Sequence, residues 1–95
     1  MTEYWIYLLS KEKCDEIKNN NEYIGLNKIR ELNKNDVIYI IKKKNKEYFL
    51  YCYLKIKRKS KRKKVFEDKE LNKICYKVKE KKIIDREIRI NKLFK

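Results

Sequence analysis

The hydrophobic pattern of this chain is mostly that of β-strands, with apolar residues at alternate positions. In the stretch 47–57, Leu50, Cys52, Leu54 and Ile56 occupy even positions. Side chains alternate between the two faces of a strand, so these four predict one aliphatic face suited to a core. The opposite face would carry Phe49, Tyr51, Tyr53, Lys55 and Lys57. The pattern therefore predicts one core face and one aromatic, then basic, face.

A second strand is predicted over residues 3–9, where nearly every position is apolar or aromatic. Trp5 and Tyr7 would share one face, and Tyr4, Ile6 and Leu8 the other. Because both faces are apolar, we expect this strand at the centre of a sheet, covered on both sides.

A third strand is predicted over 36–41, which is rich in β-branched residues. It follows Asn35, a residue type that tolerates the left-handed conformation of a turn. A polar hairpin turn over 42–46 would join this strand to 47–57.

The helical signals are short. Ser10 is a good N-cap for a helix over about 11–19, in which Cys14 and Ile17 form a narrow apolar stripe. A second helical turn is predicted over about 27–33, where Ile29 and Leu32 have helical spacing.

Gly25 is the only glycine of the chain. It predicts either a turn, which we favour, or a close approach of another group to the backbone.

The C-terminal third predicts two more strands after a turn or single helical turn over 67–73, anchored by Leu71. In 74–80, Ile74, Tyr76 and Val78 would point inward and Cys75, Lys77 and Lys79 outward. In 83–90, Ile84, Ile88 and Ile90 would point inward and Asp85, Glu87 and Arg89 outward. Leu93 and Phe94 could seal one end of the core.

These elements predict a single α+β domain over 1–95, mainly β. About six strands and one or two short helices favour a small mixed β-barrel or a strongly curved sheet. The chain shows no internal repeat and no linker.

The composition adds a strong positive charge. The chain has 28 Lys and Arg against 14 Asp and Glu, a net charge of +14 in 95 residues. This favours a polyanionic partner, most commonly nucleic acid, RNA or DNA. An AT-rich genome would also explain abundant Lys, Asn and Ile, but not the clustering of cations beside aromatic residues.

That cluster is the stretch 55–64, in which eight of ten residues are Lys or Arg. The candidate phosphate-binding residues are Lys55, Lys57, Arg58, Lys59, Lys61, Arg62, Lys63 and Lys64. Tyr51 and Tyr53 could stack on bases, because aromatic rings beside cations suit single-stranded nucleic acid. The tyrosine face could equally be covered by the N-terminal helix, and the basic stretch could be a localisation signal or a solvated loop.

Other site chemistries find little support. The chain has three cysteines and no histidine, so neither a disulfide framework nor a zinc site is expected, and no cofactor is implied. The thiols favour an intracellular setting, in the cytoplasm or nucleus, or in a host cell if the source is viral. No apolar run approaches 18 residues, so no membrane span is expected. Without histidine or a tuned acidic cluster, catalysis is the least favoured class.

Three blocks of the chain resemble EVE domains, within the PUA-like group that includes YTH and ASCH domains. They are EYWIYLLS at the start, LNKNDVIYIIKKKNKEYFLYCYLKI in the middle and YKVKEKKIIDREIRINKLF at the end. The resemblance implies a PUA-like β-barrel that binds nucleic acid, with a modified base in an aromatic pocket.

Carried over by position, that pocket would include Trp5 and Ser10. Ile24 stands where the readers have a cage tryptophan, so Tyr23 would have to supply the ring. Trp5 could instead belong to the core, as a lone Trp in a small domain commonly does. The sequence thus predicts a nucleic-acid-binding module, with a module that docks on an acidic protein partner as the alternative.

Overall fold

The computed structural model describes residues 2–20, 22–28, 31–61, 64–84 and 88–90. In that part of the chain it contains five strands and one α-helix. They are β1 Tyr4–Ser10, α1 Lys11–Lys18, β2 Tyr23–Leu26, β3 Val37–Lys44, β4 Glu47–Ser60 and β5 Ile74–Ile83. A 3₁₀ helix, Lys69–Asn72, precedes β5. The prediction of a mainly β fold is confirmed.

The strands form one sheet in the order β1-β3-β4-β5-β2, curled into a half-barrel. β1 runs parallel to β3, and the remaining neighbours are antiparallel. The core lies on one face of this sheet, where α1 contributes Cys14 and Ile17. We call this side of the sheet the core face and the opposite side the outer face. No helix within the described residues is long and apolar enough to span a membrane.

The start of α1 follows the prediction. Ser10 is the N-cap, and its hydroxyl oxygen accepts from the Lys13 N–H at 3.3 Å. At the other end, the Lys81 ammonium of β5 donates to the carbonyls of Ile17, Lys18 and Asn20. Burial lowers the pKa of Lys81 below its usual value. The helix is thus fixed to the sheet through both of its ends.

Asp36 fixes the chain just before β3. Its carboxylate is fully buried and accepts from the backbone N–H of Glu3 at 3.0 Å and of Asn33 at 2.7 Å. The preceding Asn35 has φ of 73°, which confirms the predicted turn. A second positive φ, 57° at Asn45, forms the two-residue turn between β3 and β4.

The central position predicted for residues 3–9 is wrong, because β1 is an edge strand. Tyr7 and Leu9 enter the core with half-buried Trp5 beside them. Tyr4, Ile6 and Leu8 are exposed on the outer face. Both faces of β1 are apolar, as the sequence pattern indicates. The pattern does not show that the face carrying Tyr4, Ile6 and Leu8 stays exposed.

The predicted alternation of 47–57 holds only for its second half. A β-bulge between Ile40 and Ile41 of β3 opposes two residues of β4, so Tyr51 is the extra residue between Cys52 and Leu50. An extra residue moves the side chains on its N-terminal side to the opposite face from the one that strict alternation predicts. Phe49 is therefore buried, whereas Leu50 takes the opposite face.

Gly25 lies inside β2, opposite Cys75, and not in a turn. A Cβ at this position would overlap the Leu71 carbonyl and lie 2.9 Å from the Asn72 side-chain oxygen. The alternative prediction, a close approach to the backbone, is therefore correct. Cys75, predicted to point outward, is buried at this contact.

The last predicted strand differs as well. β5 runs without interruption to Ile83, and residues 88–90 form only an isolated bridge between Arg89 and Phe49. No helix forms in the described part of 27–33, while the 3₁₀ helix falls within the predicted 67–73. Ile29, Asp85, Glu87, Leu93 and Phe94 lie outside the described residues.

Candidate nucleic-acid interface

One row across three strands brings together two cations and an aromatic ring. Arg58 of β4 lies directly opposite Lys77 of β5, and Lys77 lies directly opposite Tyr23 of β2. Residues opposed in this way project from the same face, with Cβ atoms about 5 Å apart. The row therefore presents a ring beside two positive charges.

Two irregularities between β4 and β5 decide the face from which this row projects. The register shifts once between Lys55 and Ile56 and again between Ile56 and Arg58. Each shift adds one unpaired residue, Lys79 on β5 and then Lys57 on β4. The two shifts cancel, so Arg58 and Lys77 keep the register of Lys55 and Glu80, but the extra residues turn both side chains to the outer face.

The row forms one side of a cleft of about 370 Å³, which we call the basic cleft. Its lining residues are Tyr23, Arg58, Lys59, Ser60, Lys61 and Lys77. Arg58, Lys59 and Lys61 are exposed, whereas Lys77 and Tyr23 are half-buried. The cations are therefore accessible to a ligand, and the half-buried ring lies on the edge strand β2.

The positive charge of the basic cleft is not neutralised within the described residues. The cations that form ion pairs in the described part of the chain are Lys13, Lys55, Lys64, Lys73 and Arg89. They do not include Arg58, Lys59, Lys61 or Lys77. Like charges directly opposite each other on a sheet are destabilising, so the cleft is electrostatically prepared for an anion.

Other predicted cations are partly neutralised. Lys55 lies 3.8 Å from the Glu80 carboxylate, which also accepts the Tyr53 hydroxyl at 3.0 Å. That hydrogen bond raises the pKa of Tyr53. Lys64 lies 3.4 Å from Glu67.

Three predicted cations differ from this group. Lys57 is exposed at the β4 bulge. Arg62 and Lys63 lie outside the described residues.

The two tyrosines of β4 do not share a face. Tyr51, at the bulge, packs against the core, and the Lys42 ammonium lies 5.5 Å from its ring centroid. Burial raises the pKa of Tyr51. Tyr53 lies five residues before Arg58, about 17 Å along a strand, so neither ring belongs to the basic cleft.

The structure also separates the three residues predicted for a base pocket. Tyr23 lines the basic cleft, and Ser10 caps α1. Trp5 lines a different cavity, of about 200 Å³, which we call the seam cavity because it lies between β1 and the segment after β2. The seam cavity is lined by Trp5, Ile6, Tyr7, Leu8, Leu26, Asn27, Lys28, Leu32 and Ile38.

Sequence reasoning missed Lys77 as a site residue. The alternation of 74–80 placed its side chain outward correctly, but Lys77 lies outside the basic stretch. Its role depends on lying beside Arg58 on the outer face, where the extra residues Lys57 and Lys79 place the two side chains. The only sequence signal for Lys77 was its outward position, and nothing distinguished it from the other lysines of the same strand.

The described residues contain no group of three His, Cys, Asp or Glu side chains arranged for a metal ion. Cys14 and Cys52 are fully buried, and burial raises the pKa of each thiol to about 12. Both are therefore protonated near neutral pH, which suits packing rather than nucleophilic chemistry.

Comparison of the chain with protein-family models and with curated proteins found no match.

Proposed function

We propose that this protein binds nucleic acid in the basic cleft. Arg58, Lys59, Lys61 and Lys77 contact phosphates, and a base stacks on Tyr23. The observation that carries the proposal is the row of Arg58, Lys77 and Tyr23, which places two cations and a ring on one face.

The chemistry of the row fits a single strand better than a duplex. Single-strand sites combine cations that follow the backbone with rings on which unpaired bases stack. In a duplex the bases are already stacked on one another, so Tyr23 would have no free base to receive. The resemblance to EVE domains supports the same class of ligand.

Binding should depend strongly on salt. Each phosphate contact releases a counterion, with a logarithmic slope of about −0.7 per contact on single strands. Four contacts from the basic cleft therefore predict a slope near −3. Fluorescence anisotropy with labelled single-stranded and duplex RNA and DNA, over a range of salt concentrations, measures this slope and the strand preference.

The location of the site is tested by a pair of matched variants. Arg58→Gln/Lys77→Gln removes two charges from the basic cleft, and Lys44→Gln/Lys46→Gln removes two from the exposed β3–β4 turn. The net charge is the same in both. We expect the first to weaken binding by about tenfold or more and to lower the slope by about 1.4, and the second to weaken it less than about threefold.

Equal losses in the two variants would show attraction by net charge without a site. The alternative function, docking on an acidic protein, would be favoured if the chain bound no nucleic acid at low salt but retained an acidic protein partner after nuclease treatment.

A further inference from the structure

Strand β1 leaves one edge of the sheet open and presents an apolar row beside it. Among the described strands β1 pairs with β3 alone, and Tyr4, Ile6 and Leu8 are 66%, 62% and 43% exposed. Tyr4–Ser10 carries no charged residue in a chain with 28 Lys and Arg. Edge strands are usually protected from pairing by lysine, proline or a bulge, and β1 contains neither lysine nor proline.

The backbone of these three residues is directed at the open edge. The Val37 N–H donates to the Glu3 carbonyl at 2.9 Å, so the odd positions of β1 direct their backbone groups towards β3. Backbone groups of consecutive strand residues point to alternate sides. Tyr4, Ile6 and Leu8 therefore offer their N–H and C=O groups to another strand.

The seam cavity shows that the described residues after β2 leave space beside this edge. Ile6 and Leu8 line the cavity together with Asn27 and Lys28, so space remains beside β1. Ile6 remains largely exposed and Leu8 partly exposed beside the described residues of that segment.

We propose that β1 pairs with the β1 strand of a second copy of this chain, antiparallel about a twofold axis at Tyr7. This register pairs the whole of Tyr4–Ser10 with itself and places Ile6 opposite Leu8 of the second copy. The two five-stranded sheets then join edge to edge into one continuous sheet.

Charge complementarity favours both this occupant and this register. An axis at Tyr7 brings Glu3, just before β1 of each copy, near Lys11, the first residue of α1 in the other. Both residues are exposed, and neither takes part in an ion pair among the described residues. The paired strands are therefore flanked at each end by one Glu–Lys pair. A second copy of the chain provides both the complementary charges and the complementary strand.

The rest of the surface opposes association, since each copy carries a net charge of +14. The interface of one strand and three apolar side chains per copy is small beside the 1,200–2,000 Å² of standard interfaces, so the dimer is weak. Screening by salt reduces the overall repulsion. Dimerisation should therefore strengthen with salt, whereas nucleic-acid binding weakens.

This inference does not depend on the proposed function, because β1 and β2 are opposite edges of the sheet and the basic cleft includes β2. Sedimentation equilibrium of the wild-type chain, from micromolar to millimolar concentration and at two salt concentrations, tests it. We expect a monomer–dimer equilibrium that shifts towards the dimer at higher salt. A monomer throughout would overturn the proposal.

Variants locate the interface. Ile6→Lys places a charge at the centre of the pairing edge and should raise the dimer dissociation constant by about tenfold or more, while Asn19→Lys adds the same charge at the exposed end of α1 and should change it little. Circular dichroism confirms that each variant is folded. A dimer that persists in folded Ile6→Lys would overturn the assignment to β1.

The register has its own test. Glu3→Lys should weaken the dimer, because it places like charges opposite each other at both ends of the strand pair. Glu3→Lys/Lys11→Glu should restore the wild-type dissociation constant, since the pairs re-form with opposite polarity. Failure of the double variant to recover, with its fold intact, would exclude the register centred on Tyr7.

Discussion

At the scale of the residue, the proposed binding role rests on a pair of like charges held opposite each other. Arg58 and Lys77 face one another across β4 and β5, and neither forms an ion pair within the described residues. A fold selected for stability alone gains nothing from this arrangement. The repulsion is relieved when an anion occupies the basic cleft.

A single substitution separates binding from stability at this position. Lys77→Gln should stabilise the free protein by about 0.5 kcal/mol, because it removes a like-charge contact, and should weaken nucleic-acid binding. Urea unfolding and anisotropy measure the two effects. Lys82→Gln, on the same strand but opposite Tyr53, is the control and should leave both nearly unchanged. A Lys77→Gln variant that is less stable and binds equally well would contradict the account.

At the scale of the element, signals from neighbouring residues predicted the existence of helices and strands well. They predicted the position of each strand in the sheet less well. Ser10 and the Cys14–Ile17 stripe were sufficient to predict α1, because N-capping and helical spacing depend on nearby residues. The edge position of β1 was not predictable from its apolar pattern. That position depends on which strands pair, and the contacts that decide it are distant in sequence.

The β-bulges explain why the candidate site was only partly predicted. The cations of β4 were visible as a cluster, and Arg58, Lys59 and Lys61 do lie together in the basic cleft. The bulge at Tyr51 turned its ring towards the core, and the two shifts near Ile56 placed Arg58 and Lys77 together on the outer face. Pattern analysis assumes an uninterrupted period of two, so one extra residue is enough to exchange the faces.

Ser10 offers a test between its two predicted roles. As the N-cap of α1, Ser10→Ala should lower the free energy of unfolding by about 1 kcal/mol, because the Lys13 N–H loses its acceptor. Nucleic-acid affinity should stay within about twofold, since Ser10 does not line the basic cleft. Thr2→Ala serves as the matched control. Weaker binding with unchanged stability would instead place Ser10 in a base pocket.

At the scale of the whole molecule, the half-barrel has two unlike edges. The β2 edge carries Tyr23 beside unneutralised cations, and the β1 edge carries exposed apolar side chains without charge. A uniform excess of lysine would not produce this separation. Net charge attracts any polyanion, whereas the proposed site requires the one ring and the cations that lie together at the β2 edge.

The central claim, that nucleic acid occupies the basic cleft, is tested most directly by an NMR titration. Amide chemical shifts of the chain are followed as a short single-stranded oligonucleotide is added. We predict that the largest shifts cluster at Tyr23, Arg58–Lys61 and Lys77, while the β3–β4 turn at Asn45 stays nearly unchanged. Shifts spread evenly over exposed lysines, or centred on that turn, would contradict the account.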